Sequence, residues 1–245
     1  MRLLVFQHIA CEHPGIFRKF LAEDGIAWDA VELDEGDSIP DLDAYDALWV
    51  MGGPMDVWDR EENPWLDAEK AAIRDWVQGR RKPFMGICLG HQLLADALGG
   101  RCDWLTPPEV GILEVALTDA GRADPLFSAL DPVAKCLQWH SVQVVEPPQG
   151  AVTLASSEAC RHQALRIGRH AYGIQYHVEL EANTVTDWGD IPAYAAALEK
   201  VQGAGALARL DAEARPLMPA FATNARRLYD GFLRMARDVA GSPSA

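Results

Sequence analysis

The sequence predicts an α/β protein with an open, mostly parallel sheet flanked by helices. Its first hundred residues alternate between short apolar runs, which are typical of buried strands, and longer segments with helical spacing. The strand candidates are residues 2–6, 27–33, 47–52 and 83–87, and the helix candidates are residues 14–24, 64–79 and 89–98. This alternation favours a parallel sheet with helices on both faces.

The second half of the chain predicts an antiparallel extension of that sheet. Strand-like segments cover residues 109–118, 133–145, 151–157, 163–168 and 170–176, with turns expected at residues 107–108, 147–150 and Gly168. Beyond Glu179 the chain becomes rich in alanine and helical, and residues 220–240 predict a final helix. We expect one domain over residues 1–245, with a catalytic core at 1–190, a helical extension at 191–245 and a frayed end at 241–245.

The amino-acid composition indicates which binding partners and which cellular compartment to expect. The 245 residues are 49% hydrophobic and 24% charged, with a net charge of −14, so nucleic acid and anionic membranes are disfavoured as partners. The five cysteines include no C-x-x-C pair, which favours a reducing compartment and neither a disulfide framework nor a zinc site. The amino terminus lacks a signal-peptide core, and no uninterrupted apolar run is long enough to span a membrane. A cytoplasmic protein is the expectation.

Cys88 is the candidate nucleophile. It lies in Met85-Gly86-Ile87-Cys88-Leu89-Gly90, where a strand candidate turns directly into a helix candidate. Small glycines around a strained turn are the requirement behind the related G-x-S-x-G elbow. A cysteine at a helix amino terminus is also favoured as thiolate. On this local pattern alone, a buried structural cysteine is an equally good interpretation.

His177 and Glu179 are the candidate base and orienting acid. A thiolate nucleophile needs a group that handles protons, and a third group usually orients that base. His177-Val178-Glu179 follows a strand candidate, and residues two apart on an extended chain share a side. A lone histidine there would more often be structural. The H-x-E pair together with a cysteine elbow favours a Cys-His-Glu triad.

Two backbone N–H groups are candidate oxyanion donors. Gly52-Gly53-Pro54 ends a strand candidate and leaves the Gly53 N–H unhindered, and Leu89 directly follows the nucleophile. Both fall at carboxyl ends of parallel strands, where open α/β sheets place their sites. The alternative for Gly-Gly-Pro is an ordinary turn.

Three segments carry a resemblance to a known family. MGGPMDVWD at 51–59, KPFMGICLGHQLLADALGG at 82–100 and YGIQYHVE at 172–179 resemble the oxyanion strand, nucleophile elbow and His-x-Glu segment of class I glutamine amidotransferases, closest to the GMP-synthase-like branch. The resemblance implies a flavodoxin-like sheet and a γ-glutamyl thioester on Cys88. His177 would then protonate the leaving amine and activate water, while Glu179 holds it.

The same resemblance implies a substrate pocket without a metal or organic cofactor. Gln92 would contact the amino-acid end of the glutamyl group, and residues 139–141 would line the pocket through backbone groups. The candidate substrate-binding residues are therefore Gln92, Gly52, His140, Ser141 and Val142.

Departures from the family pattern leave the substrate open. Val178 stands where relatives commonly have proline, which leaves the triad side chains unchanged. Ser141-Val142 stands where many relatives resemble Gly-Asp, so an acid that helps recognise the substrate ammonium is missing at this position.

The sequence contains no nucleotide-binding loop such as a synthetase site would need. Two enzyme hypotheses therefore follow. One is a hydrolase of γ-glutamyl amides or peptides, and the other is a glutaminase subunit that feeds a separate synthetase. A catalytically silent binding module is a third, weaker alternative, because all three triad residues are present. The expected partners are a small γ-glutamyl substrate and, as further candidates, a synthetase or a second copy of the chain.

Overall fold

The computed structural model describes residues 1–240. Its strands are β1 Arg2–Gln7, β2 Ala27–Glu32, β3 Ala47–Val50, β4 Phe84–Ile87, β5 Arg101–Leu117, β6 Val133–Glu146, β7 Val152–Ser156, β8 Ala164–Ile167 and β9 Ala171–Ile174. Its α-helices are α1 Phe17–Glu23, α2 Trp65–Arg74, α3 Leu89–Ala97, α4 Asp119–Ala123, α5 Thr184–Gly189, α6 Pro192–Gln202, α7 Ala206–Ala214 and α8 Met218–Ala240. The predicted frayed end at 241–245 lies outside the described residues.

The nine strands form one sheet in the order β2-β1-β3-β4-β9-β8-β7-β5-β6. The pairs β2–β1, β1–β3, β3–β4 and β4–β9 are parallel. The pairs β9–β8, β8–β7, β7–β5 and β5–β6 are antiparallel. The predicted α/β class, the parallel sheet and its antiparallel extension are therefore confirmed. Strands β1, β3, β4 and β9 are short and almost entirely buried, as their continuous apolar runs require, whereas the edge strand β2 is only partly buried.

Two local predictions differ from the structure. The turn expected at residues 107–108 is an irregular part of the long strand β5, whose pairing with β6 shifts register between Trp104 and Glu109. Proline has no N–H to give to the ladder, so the strand passes this point without regular pairing. The single helix expected over 64–79 is α2 followed by a π-helical stretch, Asp75–Arg80.

Apolar side chains cover both faces of the sheet. Leu3, Trp49 and Met85 pack with α1 and α8 on one face, whereas alternate residues of the same strands pack with α2 and α3 on the other. A third cluster joins α5, α6 and α7 to β5 and β6, and it includes Trp139 and Trp188. Among residues 1–240, no helix combines the length and the apolar character needed to cross a membrane.

The carboxyl ends of adjacent parallel strands gather the chemically active residues. His8 follows β1, Gly52 and Gly53 follow β3, Cys88 follows β4, and Gln175 follows β9. Open α/β sheets bind their ligands at this edge.

Candidate active site

Cys88 occupies a strained turn between β4 and α3. Its backbone has φ 52° and ψ −106°, and it stands at the N-cap of α3. A positive φ is costly for a residue with a side chain and persists only where the surroundings enforce it. Here the Cys88 N–H donates to the Ile174 carbonyl oxygen at 2.8 Å, and the residue is 6% exposed. The geometry is that of the predicted nucleophile elbow.

Gly86 and Gly90 let the elbow close. A Cβ on Gly86 would lie 2.3 Å from the Gly90 carbonyl oxygen, and a Cβ on Gly90 would lie 2.1 Å from the Val50 carbonyl oxygen. Both contacts are with backbone, which cannot move aside. The glycine spacing in the sequence therefore reflects the close approach of β3, β4 and α3.

His177 and Glu179 form a buried hydrogen-bonded pair. The Nδ1 of His177 lies 2.7 Å from Oε1 of Glu179, and the side chains are almost completely buried. The Val178 N–H donates to the other carboxylate oxygen at 2.8 Å. His177 does not end β9, which stops at Ile174; its N–H instead donates to the Leu137 carbonyl oxygen in an isolated bridge to β6.

Charge couples His177 to Cys88. Burial acts to lower the pKa of His177, but the Glu179 carboxylate and the Cys88 sulfur outweigh it and hold that pKa well above its usual value. Burial raises the pKa of the Cys88 thiol, and the His177 charge and hydrogen bond oppose that rise. Trp188 of α5 packs edge-on against the imidazole with ring centroids 4.3 Å apart. These contacts restrict the ring to one orientation.

A cavity of about 200 Å³ opens in front of the cysteine. That volume suits a small ligand. Seven of the sequence-predicted site residues line it, whereas Gly52, His177 and Glu179 do not; the seven are Gly53, Cys88, Leu89, Gln92, His140, Ser141 and Val142. Leu89 is the first residue of α3, so its N–H has no acceptor within the helix. A Cβ on Gly53 would lie 3.0 Å from Cδ2 of Leu89, so the two residues that carry the predicted donors are in close contact.

Gln92 and Gln175 connect the cavity wall to Cys88. The Gln92 amide nitrogen donates to the Val142 carbonyl oxygen at 3.1 Å and to Oε1 of Gln175 at 3.2 Å. The Gln175 amide nitrogen in turn lies 3.8 Å from the Cys88 sulfur as a donor. Gln92 is thus a buried framework residue that lines the cavity. Gln175 was missed from the sequence, although it lies inside the segment that carries the resemblance.

His140 is held from two sides. A carbonyl oxygen can only accept, so Nδ1 of His140 donates to the Val142 carbonyl oxygen at 2.9 Å, and Nε2 lies 3.0 Å from Oε2 of Glu109. Burial raises the pKa of Glu109, but the neighbouring His140 and the hydrogen bonds donated by Ser157 and Gln163 outweigh burial and lower it. This network fixes the cavity wall formed by β5 and β6.

Two further groups beside the cavity escaped sequence reasoning. Asp56 lines the cavity, and burial followed by the charge of Asp59 raises its pKa to about 6. Tyr194 of α6 also lines the cavity, and its hydroxyl donates to the buried carboxylate of Glu12. Asp56 could have been suspected as an acid close behind Gly53. Tyr194 gave no local signal because only the tertiary fold brings α6 over the cysteine.

Glu12 completes a compact acid–base cluster with the pair. Within residues 1–240, Glu12, His177 and Glu179 form one group whose ligand-type atoms all lie within 4.8 Å of one another. Burial raises the pKa of Glu12, while His177 and Tyr194 oppose that rise. Glu179 already occupies the Nδ1 side of the imidazole, so the cluster is organised around proton sharing.

The chain is similar to known proteins over most of its length. The chain is 34% identical over 190 residues to YfeJ, a glutamine amidotransferase-like protein of Salmonella typhimurium, covering 76% of this chain and 78% of that protein. It is 34% identical over 154 residues to a glutamine-hydrolyzing GMP synthase subunit of Sulfolobus acidocaldarius, covering 62% and 77%. Gamma-glutamyl peptidase 3 of Arabidopsis thaliana is 28% identical over 177 residues, covering 68% and 70%.

The fold has solved counterparts as well. The crystal structure of a glutamine amidotransferase from Thermotoga maritima superposes with a TM-score of 0.84 at 26% identity, covering 96% of this chain and 98% of that one. The family model described as "Glutamine amidotransferase class-I" matches residues 18–186, more than half of the chain. This protein belongs to the class-I glutamine amidotransferase family.

Proposed function

We propose that this protein hydrolyses γ-glutamyl amide bonds through a thioester on Cys88. One observation carries the proposal: a strained cysteine at a helix amino terminus opens on a small cavity, and a buried His177–Glu179 pair with a 2.7 Å hydrogen bond is electrostatically coupled to it. A nucleophile, a base and an oriented third group are the elements of acyl transfer by a triad. Membership of an amidotransferase family supports an amide substrate.

The proposed reaction has two steps. The Cys88 sulfur bonds to the γ-carbonyl carbon, and Gly53 N–H and Leu89 N–H receive the developing oxyanion. His177 gives a proton to the leaving nitrogen, the C–N bond breaks, and ammonia or an amine departs. Water then loses a proton to His177 and attacks the thioester, which releases glutamate and the thiol. Each oxyanion donor lowers the barrier by about 2.7–4 kcal/mol in comparable enzymes.

Asp56 supports a substrate that carries an α-ammonium group. Its half-buried carboxyl group lines the cavity near Cys88, and only burial and the like charge of Asp59 act on its pKa. A bound ammonium would stabilise the charged form and relieve this unfavourable arrangement. The acid that the sequence lacks at Val142 is thus supplied, in this proposal, from the loop after β3.

A glutaminase subunit is the second candidate. The similarity to a glutamine-hydrolyzing GMP synthase subunit supports release of ammonia for a separate synthetase. The similarity to gamma-glutamyl peptidases supports a hydrolase that acts alone. Both candidates use the same thioester chemistry and differ in the leaving group and in the need for a partner.

A substrate panel separates the two. Purified protein is incubated without ATP with glutamine, substituted γ-glutamyl amides and γ-glutamyl dipeptides, and release of glutamate and amine is measured. Turnover of substituted amides but not of glutamine would exclude the glutaminase subunit. Cys88→Ala should abolish all turnover, and a glutamine-like chloroketone should label Cys88. Labelling of another residue would contradict the proposed nucleophile.

We also propose that residues 1–245 form a single domain. The division into a core at 1–190 and an extension at 191–245 is consistent with the chain order, but the extension contributes Tyr194 to the cavity and α8 to the main core. Removal of residues after 190 would therefore expose apolar surface on the sheet. We expect such a truncated chain to be insoluble when it is expressed.

A further inference from the structure

His8 is held in place beside Gly52 and Gly53, two residues of the loop that follows β3. It follows β1, is 1% exposed, and uses both ring nitrogens inside the protein. Nδ1 lies 2.8 Å from the Gly52 carbonyl oxygen, and Nε2 lies 2.9 Å from Oε1 of Glu69 on α2. The ring also stacks on Trp65 at 5.3 Å with an interplanar angle of 13°. A buried imidazole held at three points has one orientation.

The proton on Nδ1 is determined by its partner. A carbonyl oxygen accepts hydrogen bonds and cannot donate, so Nδ1 of His8 carries a hydrogen toward Gly52. Burial acts to lower the pKa of His8, but the Glu69 carboxylate outweighs it and raises that pKa. The raised pKa favours the imidazolium, which carries a hydrogen on both ring nitrogens, so the Nδ1–H stays on the Gly52 carbonyl while the Nε2–H faces Glu69.

Because the peptide is planar, the contact between His8 and the Gly52 carbonyl also fixes the direction of the Gly53 N–H. The carbonyl of Gly52 and the N–H of Gly53 belong to one trans peptide, so they point in opposite directions. Holding the carbonyl on His8 turns the Gly53 N–H away from His8, and Gly53 lines the cavity beside Cys88 and Leu89. Two successive glycines have almost no intrinsic preference for one orientation of the peptide between them. An external hold is therefore needed.

The surroundings of both glycines fit such a hold. A Cβ on Gly52 would lie 2.1 Å from Oε2 of Glu12, and a Cβ on Gly53 would lie 2.9 Å from Cβ of His8. At both positions glycine is the residue that fits without displacing a neighbouring side chain. The same requirement leaves the peptide free to rotate unless its carbonyl is held.

We propose that His8, supported by Glu69, is a positioning residue for the oxyanion hole, because it locks the Gly52–Gly53 peptide with the Gly53 N–H directed into the cavity. This inference rests on the proposed function. His8 touches no reacting atom and acts through Gly52. Its loss should weaken transition-state stabilisation and leave the nucleophile itself intact.

The experiment compares two reactions of Cys88. Amide hydrolysis passes through an oxyanion, whereas alkylation by iodoacetamide is a displacement at carbon that forms none. His8→Leu should lower kcat by about 10- to 100-fold, part of the effect of losing one oxyanion donor, with KM changed little. The rate of Cys88 alkylation should stay within about threefold of wild type. A parallel fall in both rates would overturn the proposal, and so would an unchanged kcat.

Two substitutions of Glu69 give an independent contrast, also in case His8→Leu fails to fold. Glu69→Gln keeps a hydrogen-bond partner for Nε2, so a neutral His8 still donates from Nδ1, and kcat should remain near wild type. Glu69→Leu removes the contact that fixes Nε2, so the ring is held only by Gly52 and Trp65 and can tilt away from the carbonyl; kcat should fall, although less than in His8→Leu. Equal activity of the two Glu69 variants would contradict the clamp.

His162→Leu is the matched control. His162 is also buried and accepts or donates a 2.7 Å bond with Thr153, away from the cavity. Its loss should leave kcat unchanged. A fall as large as in His8→Leu would mean that any buried histidine matters equally, which contradicts the proposal.

Failure of the proposed function can be told apart from failure of the clamp. Acylation of Cys88 by p-nitrophenyl acetate also builds an oxyanion but needs no glutamyl group. If the wild-type protein cleaves no γ-glutamyl amide, the proposed function fails, and the ratio of ester acylation between wild type and His8→Leu still tests the clamp. A tenfold or larger ratio supports the clamp, whereas equal acylation rates refute it.

Discussion

Tyr194 on α6 donates its hydroxyl hydrogen to the buried carboxylate of Glu12, which follows β1. The contact joins the helical end of the chain to the first loop of the sheet. Trp139 strengthens the same connection, because its indole N–H donates to the Tyr194 carbonyl oxygen at 3.2 Å. Helix α6 therefore forms one wall of the cavity.

Tyr194→Phe should destabilise the protein without removing apolar packing. The phenylalanine ring fits the same space, but Glu12 loses its donor while its other oxygen already has no partner in the described structure. Leaving a buried acceptor unpaired costs about 1–3 kcal/mol. Urea denaturation should show that loss. Because burial raises the pKa of Glu12, the loss should shrink below the pKa of that carboxyl group, where Glu12 is neutral.

A double-mutant cycle provides the control. Glu12→Gln removes the charge and keeps the shape, so Tyr194→Phe should cost clearly less in that background than in wild type. Equal costs in both backgrounds would mean that the hydroxyl does not act through Glu12.

Gly90→Ala should unfold or strongly destabilise the protein. The added Cβ would lie 2.1 Å from the Val50 carbonyl oxygen, and overpacking of this kind typically costs about 1–3 kcal/mol and occasionally more. Gly36→Ala is the matched control, because Gly36 has a φ of 88° but no atom within 4 Å of the new Cβ. That change should cost only about 1 kcal/mol of left-handed strain. Thermal denaturation of both variants measures the difference, and equal effects would contradict the steric account.

Local patterns predicted the strands, the elbow and the pair after β9 because each depends on neighbours in sequence. Cys88, His177 and Glu179 carry recognisable local signals, and the glycine spacing at 86 and 90 reflects a contact between adjacent elements. The π-helical end of α2 and the irregular passage through residues 107–108 were missed. The two prolines indicated an interruption, but only the pairing with β6 on either side makes it part of one strand. The periodicity of apolar residues does not distinguish a π-helical stretch from an α-helix.

The polar groups that complete the cavity could not be predicted for the same reason. The sequence does not show which side of the strand end Gln175 faces, and only the fold brings its side chain to Cys88. Tyr194 belongs to an alanine-rich helix whose position is set by the third apolar cluster. In sequence His8 only interrupts an apolar run, yet in the fold it contacts Glu69, which lies 61 positions away.

Gln175→Leu should make Cys88 a poorer nucleophile at neutral pH. The Gln175 amide is a donor 3.8 Å from the sulfur, and a donor stabilises the thiolate over the thiol. A hydrogen bond to a charged group contributes about 1.5–3 kcal/mol at good geometry, and loss of this longer, weaker contact should raise the thiol pKa. The pH dependence of iodoacetamide alkylation measures that pKa.

Gln163→Leu serves as the comparison for Gln175→Leu. Gln163 is equally buried, but its amide donates to Glu109 and Ser157 and not to the sulfur. Its loss should change stability and leave the alkylation profile in place. An alkylation profile that is unchanged in Gln175→Leu would show that the contact has no influence on the thiolate.

Asp56→Asn should weaken substrate binding and increase the stability of the folded protein. If the Asp56 carboxylate binds the substrate ammonium, its loss should raise KM by about tenfold or more, as expected for a hydrogen bond to a charged group. Glutaramate, which lacks the α-amino group, should show no such increase. Because the pKa of Asp56 is about 6, KM of the wild type should rise as pH falls through 6, and Asp56→Asn should lack that inflection.

The stability effect of Asp56→Asn has the opposite sign. The folded pKa of about 6 exceeds the ordinary value of 3.8, so the folded state binds the proton more tightly and loses stability as pH rises from about 4 to 6. Replacing the carboxyl group removes that loss, and with allowance for solvent screening the variant should gain about 1 kcal/mol at pH 8 and nothing at pH 4. Asp59→Asn should instead lower the pKa of Asp56 and move the KM inflection below pH 6. An inflection that stays at pH 6 in Asp59→Asn would assign it to another group.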